Sequence, residues 1–338
     1  MHMSDALVSV AVGTTMTAVS TGLVGYSIKK VRSNELSDHK IPMMGVMGAF
    51  VFAAQMINFT IPVTGSSGHI GGGMLLAALL GPFPAFLTLA CVLLIQALFF
   101  ADGGLLALGC NIFNLGFFSC MLAYPLLYRP ILKKKITTKR IMIASILSVV
   151  GSLQLGALSV VLETSVSGVT ELPFLSFLGL MQPIHLAIGI VEGVATGAIL
   201  SFIYLTRNEI IKNTLDEESK TVLSKKLIGT LFAAAVVVGG FLSLYASSKP
   251  DGLEWSIEGI LGESELENSS ITHEKAQTLQ EMTAVLPDYS LKNGNEDSNL
   301  GTSVSGVVGS VVTLIISMMV GFVIMIIKRS KNKVTDVN

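Results

Sequence analysis

Eight runs of apolar residues recur along the chain, at 7–28, 41–58, 84–101, 105–127, 141–163, 183–205, 227–246 and 304–327. Each comes close to the roughly 20 residues with which a helix crosses ~30 Å of hydrocarbon. No other feature narrows the fold as far. Composition agrees: 51% of the 338 residues are apolar and only 13% are charged, half the charged fraction of about a quarter usual in soluble domains. The chain reads as an all-α, multi-pass protein of the cell (cytoplasmic) membrane. Its formal net charge of -1 argues against a nucleic-acid partner, which calls for a basic patch.

Basic residues set the topology. Nineteen of the 22 Lys and Arg lie at 29–40, 129–140, 207–226 and in the tail from Lys328, and the positive-inside rule places all four clusters in the cytoplasm. Eight crossings put 29–40 and 129–140 on opposite faces. Counting the short segment 70–82, which opens with glycines and ends at Gly81-Pro82, restores one face for all four. The expected fold has about nine transmembrane segments, one of them short or broken, with the N-terminus outside and the C-terminus inside. No basic region precedes the first run, so a cleaved signal peptide is not expected and the mature chain is taken to begin at Met1.

Eleven of the 23 acidic residues fall between Ser247 and Ser303 against three lysines, Lys249, Lys275 and Lys292. This stretch reads as a small acidic extracytoplasmic domain. The chain then divides into a transmembrane domain at 1–206, a cytoplasmic linker at 207–226, an accessory module at 227–327 (helix, outer domain 247–303, helix) and a basic cytoplasmic tail at 328–338. Cys91, Cys110 and Cys120 all lie in apolar runs and read as reduced packing residues.

The stretch from Ile57 to Gly73 contains NFTIPVTGSSGHIGGG and reads as non-helical backbone. At membrane depth such a loop lines a cavity or is buried by protein, and a short broken helix beside it points to a binding site. Of five histidines, His39 and His273 read as solvated surface. His2 and His69 fall on the outer side. The amine of Met1 and the amide and ring nitrogens of His2 can chelate one metal in adjacent five- and six-membered rings. One more imidazole, such as His69, closes a planar nitrogen site suited to Ni(II) or Cu(II), with Co(II) in a distorted geometry. The plain alternatives are a polar residue at a frayed terminus and a loop histidine held by the backbone.

His185 and Glu192 are ionisable, lie in one apolar run and share a helix face, which leaves a proton relay and helix packing both open. Gly189, Gly193 and Gly197, and likewise Gly45, Ala49 and Ala53, form small-residue stripes for close helix contact, either internal or with another membrane subunit. Gln55, Gln96, Asn58, Asn111 and Asn114 read as interhelical hydrogen bonds or as partners that orient a liganding imidazole. No G-x-x-x-x-G-K-[ST], HExxH or G-x-S-x-G motif occurs. The chain carries no ATP site and no enzymatic signature, so an ATPase serving it is a separate polypeptide.

Several motifs in order carry a resemblance. Met1-His2 with Asp5, GSSGHIGGG at 65–73, FFADGGLLALGCNIFNLGF at 99–117 and IHLAIGIVEG at 184–193 resemble the CbiM/NikM family over roughly residues 1–205. These are the substrate-capture (S) components of energy-coupling-factor transporters for nickel and cobalt. Pro250-Asp251-Gly252-Leu253-Glu254-Trp255 resembles the PDGLE module of the small partner NikN or CbiN, here fused. The resemblance implies that Met1, His2 and His69 hold Ni(II) or Co(II) as transported substrate. Asp5, Gln55, Ser66, Ser67, Asn111 and Asn114 are then candidates to support them. It also implies a transmembrane coupling (T) subunit, with Gly45, Ala49 and Ala53 as candidate docking residues, and two cytoplasmic ATPase subunits. The PDGLE part is expected to help metal loading or to attract cations. The family start commonly reads Met-His-Ile-Pro-Asp-Gly-Phe, whereas this chain has Met3, Ser4, Ala6 and Leu7. Competing readings are a self-sufficient ion-coupled carrier using His185 and Glu192, cobalt uptake for cobalamin synthesis, and a membrane scaffold whose acidic domain binds a protein.

Overall fold

The computed structural model describes residues 2–33, 40–216, 225–263, 266, 270–291 and 299–335. Met1 and His39, residues 217–224 of the linker and 336–338 of the tail lie outside the described residues.

The N-terminal segment makes one 3-10 turn, Asp5–Leu7, and enters α1 (Val10–Ser33). After α2 (Lys40–Gln55), two short antiparallel strands, β1 (Phe59–Thr60) and β2 (Ser67–Gly68), pair Phe59 with Gly68 and Thr60 with Ser67. The short α3 (Gly73–Leu80) stops at Gly81 and α4 (Pro82–Phe99) starts at once. Next come α5 (Leu108–Ile112), a π-helical stretch Phe113–Tyr128 and α6 (Arg129–Lys134), continuous as one rod. Helices α7 (Thr138–Ser167) and α8 (Phe174–Thr206) form a long pair, and α9 (Asn208–Leu215) follows. The accessory module contributes α10 (Lys225–Gly240), α11 (Gly252–Leu261), α12 (Ile271–Thr283) and α13 (Asn299–Thr335).

Every one of the nine expected segments falls on a helix. Six helices among the described residues are long and apolar enough to cross a membrane, α4, α5–α6, α7, α8, the α10 region and α13. The other three fall short for visible reasons. α2 is apolar but has 16 residues, and α3 has eight, about 12 Å of rise. α1 carries hydroxyl side chains, of which those of Thr14 and Thr15 donate to the carbonyls of Val10 and Ala11.

Burial is inverted relative to a water-soluble bundle. On α7 and α8, Leu147, Leu175, Phe202 and Leu205 are exposed, whereas Ser145, Ser148, His185 and Glu192 are buried. An apolar outside around a polar inside is the arrangement lipid demands. The three cysteines are buried and unpaired.

The stripe Gly45, Ala49 and Ala53 is covered by the chain's own accessory helices. A Cβ on Gly45 would lie 2.5 Å from Met318, Ser310 donates to the carbonyl of Ala49, and Ala49 and Ala53 cluster with Ala235. Of the two readings of this stripe, internal packing is the one the structure displays. Gly189, Gly193 and Gly197 likewise let α8 close on Val150, Ile146 and Met142 of α7.

Candidate metal centre

Three loops meet at one end of the bundle. The first is the N-terminal segment. Asn111 brackets Met3, accepting from its N–H at 2.7 Å and donating to its carbonyl at 3.1 Å. Asp5 Oδ1 accepts from the N–H groups of Leu106 and Ala107 at 2.8 and 2.9 Å, and Gly104 N–H donates to Met3 O. Side-chain and backbone anchors to the 99–107 loop therefore hold the first turn. Ala6 needs no left-handed backbone, so the turn forms without the family's proline and glycine. Only glycine fits at 104, where a Cβ would sit 1.8 Å from Asp5 Oδ1. Gly104→Ala is expected to free the segment and to speed amide exchange at Met3 by about tenfold or more. Unchanged exchange would remove this anchor from the account.

The second loop is the glycine-rich one. Gln55 Nε2 donates to Gly71 O at 2.9 Å and Gly72 N–H donates to Glu192 Oε1 at 3.0 Å, so α2 and α8 both latch the backbone that carries His69. The third loop, 100–107, carries Asp102, which the sequence reading did not single out. Asp102 Oδ1 lies 2.9 Å from His2 Nδ1, and its Oδ2 accepts from Tyr289 Oη at 2.5 Å. The His2 and His69 rings stack with centroids 5.1 Å apart and planes 22° apart. His2 Nε2 is buried with no hydrogen-bond partner in the protein among the described residues. Burial above all pushes the His69 imidazole down to about 3, so it stays neutral and can offer a lone pair at physiological pH. Burial works against the Asp102 carboxylate, but the His2 ring and the Tyr289 hydroxyl outweigh it and hold its pKa below the ordinary range.

The accessory module clamps all three loops. His273 is buried, which corrects its reading as solvated surface: its Nε2–H donates to Val8 O at 2.9 Å and its Nδ1 accepts from Ser270 at 2.6 Å. Val285, Leu286 and Asp288 donate backbone N–H groups to the carbonyls of Phe99 and Phe100. Gln280 Nε2 donates to Ala97 O and Gly103 O. On the glycine loop, Ser67 donates from its N–H to Pro250 O at 2.8 Å and from its hydroxyl to Lys249 O at 2.7 Å. Ser66 Oγ donates to Ser67 O, and Trp255 Nε1 donates to Thr64 O.

The PDGLE residues gain a physical meaning from this docking. Asp251 caps α11, accepting from Leu253 and Glu254 N–H, and Glu254 returns the bond to Asp251 N–H, a reciprocal capping box. Gly252 lies where a Cβ would come 3.1 Å from the His185 ring.

The six supporting candidates Asp5, Gln55, Ser66, Ser67, Asn111 and Asn114 thus all belong to the network around these loops. Asn114 donates to Glu163 Oε2 at 2.7 Å and contacts Met3 Sδ at 3.7 Å. His185 and Glu192 sit deeper in the bundle. Among the described residues, four non-glycine positions have left-handed backbone, Val63, Ala101, Asp288 and Tyr289, and each lies in one of these loops or in the segment clamping them. Backbone strain of this kind gathers at functional sites.

A family model described as a cobalt uptake substrate-specific transmembrane region, CbiM, matches residues 2–210, and a PDGLE domain matches residues 225–326. A protein of Archaeoglobus fulgidus named putative fused nickel transport protein NikMN is 31% identical over 314 residues, covering 93% of this chain and 96% of that one. The fused nickel transport protein NikMN of Rhodobacter capsulatus is 34% identical over 123 residues, 36% of this chain and 35% of that one. The crystal structure of a transition metal transporter, 31% identical, superposes with a TM-score of 0.54 and covers 63% of this chain and 97% of its own. With these matches running through both halves, the chain belongs to the CbiM family of multi-pass membrane transport proteins and continues into a fused PDGLE domain.

Proposed function

We propose that this chain captures a divalent transition-metal cation outside the cell, nickel(II) ahead of cobalt(II), as the substrate-binding subunit of an energy-coupling-factor transporter. The nine-crossing topology with Met1, His2 and His69 outside belongs to this reading. So do the separate T subunit and the two cytoplasmic ATPases that supply the energy.

The observation that carries it is the stacked pair His2 and His69, 5.1 Å between centroids. In the chelate, the amide nitrogen of His2 lies between the Met1 amine and the His2 ring, so His69 takes the corner next to that ring. Two imidazoles at adjacent corners of a square, each about 2 Å from the ion, bring their centroids to about 4.5 Å. The centroid separation is thus within an ångström of that of a loaded pair, and loading has to turn the rings out of their stack. A planar field of four nitrogens suits Ni(II).

The chelate uses His2 Nδ1, which now faces Asp102. A half-turn of the ring about Cβ–Cγ frees Nδ1 for the ion and brings Nε2 to the edge facing Asp102. The carboxylate then accepts from Nε2–H, the partner that a metal-bound imidazole ordinarily keeps.

Metal analysis of the chain purified from Ni(II) medium with its N-terminus unextended tests the reading. About one nickel per chain is expected, diamagnetic and with the visible band of a planar nitrogen field. No bound metal, or a paramagnetic octahedral spectrum, would sink it. A self-sufficient carrier separates by a second measurement, since it imports nickel in cells lacking any partner ATPase.

A further inference from the structure

We propose that α9, at the end of the bundle away from the metal centre, holds in place the two elements that carry His2 and His69, with Thr214 and Arg129 as positioning residues for the site. The proposal rests on the metal-capture reading above.

Each liganding histidine hangs on its own helix. His69 lies four residues before Gly73, the first residue of α3. At that end Gly72 N–H donates to Glu192 Oε1, and Cys120 Sγ donates to Gly73 O at 3.4 Å. His2 adjoins Met3, which Asn111 brackets near the start of the 27-residue rod Leu108–Lys134. The rod and α3 lie side by side, since a Cβ on Gly73 would run into the Ser119 side chain.

Both helices are fastened again toward their other ends, and to the same element. α3 is buried along all eight residues. The Thr214 hydroxyl of α9 lies 3.1 Å from Leu79 O, in the last turn of α3, and 2.9 Å from Ile210 O of its own helix, and the two share it. From the far part of the rod, Arg129 Nε donates to Leu215 O at 3.1 Å and Tyr124 Oη donates to Thr214 O at 3.4 Å. α9 follows α8 after the single residue Arg207, so a third helix also sets its place.

An apolar plug needs only the buried face of Ile210, Ile211 and Leu215. The last carbonyls of a helix have no partner within it. Here Leu79 O, Thr214 O and Leu215 O are met by side chains of neighbouring helices, which fixes register as well as contact. A cation held by His2 and His69 bridges the rod and α3 at the metal end, while α9 bridges them at the other. The contacts then form a closed ring, in which fastening one joint narrows the motion of the other. Ion and α9 therefore strengthen each other's hold.

Amide hydrogen exchange of the unaltered chain in lipid nanodiscs, with and without Ni(II), tests it and needs no variant. Exchange in α9 is expected to slow by about fivefold or more when Ni(II) binds. The first turn of α7, Thr138–Ile141, is expected to keep its rate. The double variant Thr214→Val, Arg129→Met is expected to release Ni(II) about tenfold faster than the parent, and Thr214→Ser alone to release it at the parent's rate. Slowed exchange in the 57–73 and 99–107 loops with none in α9 overturns the proposal. So does equal slowing in α7, which marks a general stabilisation. Release from a folded double variant at the parent's rate also overturns it and leaves α9 a plug. Failure of the capture reading is distinguishable, since Ni(II) then slows exchange in neither loop.

Discussion

Replacing His2 by alanine is expected to weaken Ni(II) binding by more than about 100-fold, beyond the 10–100-fold that loss of an outer hydrogen-bond partner costs a metal site. The variant keeps the Met3 bracket by Asn111 and the Asp5 anchor, so the segment still docks while the site loses its ring nitrogen and its six-membered chelate ring. An extension before Met1 is expected to act as strongly, because it converts the amine into an amide and removes a different nitrogen. Isothermal titration against a competing chelator measures both. The two losses need not add, since either breaks the same fused chelate. If an extended N-terminus leaves the affinity intact while His2→Ala abolishes it, the amine is not a ligand and the planar model fails. The histidine pair would then have to bind with oxygen donors.

Asp102→Asn is the second large effect, a loss of about 10–100-fold in metal affinity. Asparagine keeps the shape and one acceptor oxygen but removes the charge that offsets the bound cation. Tyr289→Phe deletes the hydrogen bond from the accessory module to the same carboxylate and is expected to weaken binding in the same direction by less, about threefold to tenfold. The pair of variants asks whether the accessory module acts through Asp102. Affinities untouched by both would confine the module to covering the loops.

Apolar run length and basic clusters, which are local signals, were enough to locate the nine apolar segments, including the short α3, but not α9, α11 and α12, whose sequences carry no such run. His69 was legible for a similar reason, as the one histidine inside a glycine-rich break. The Asn111 bracket and the Gln55 latch were legible as polar residues in apolar runs, though not their targets. Asp102 was missed because an acid before two glycines looks like an ordinary turn. Its signal was an acid placed directly after an apolar run on the face that holds His2. His273 was misread because its partner, Val8, is 265 residues away. The stripe Gly45, Ala49 and Ala53 announced close packing truly, but small residues do not name the helix that fills them. Here that helix comes from the same chain.

The contacts to Asp102, Val8 and Ser67 tie ion and module into one thermodynamic cycle. Whatever factor the docked module adds to the affinity for the ion, the bound ion must add to the affinity of the module for its seat. Because the two are fused, the module is never diluted away from that seat. Its hold on the loops is then a standing bias against letting the ion go. On the capture reading, a transport cycle that loosens the module's hold on the loops lowers the affinity for the ion by that same factor.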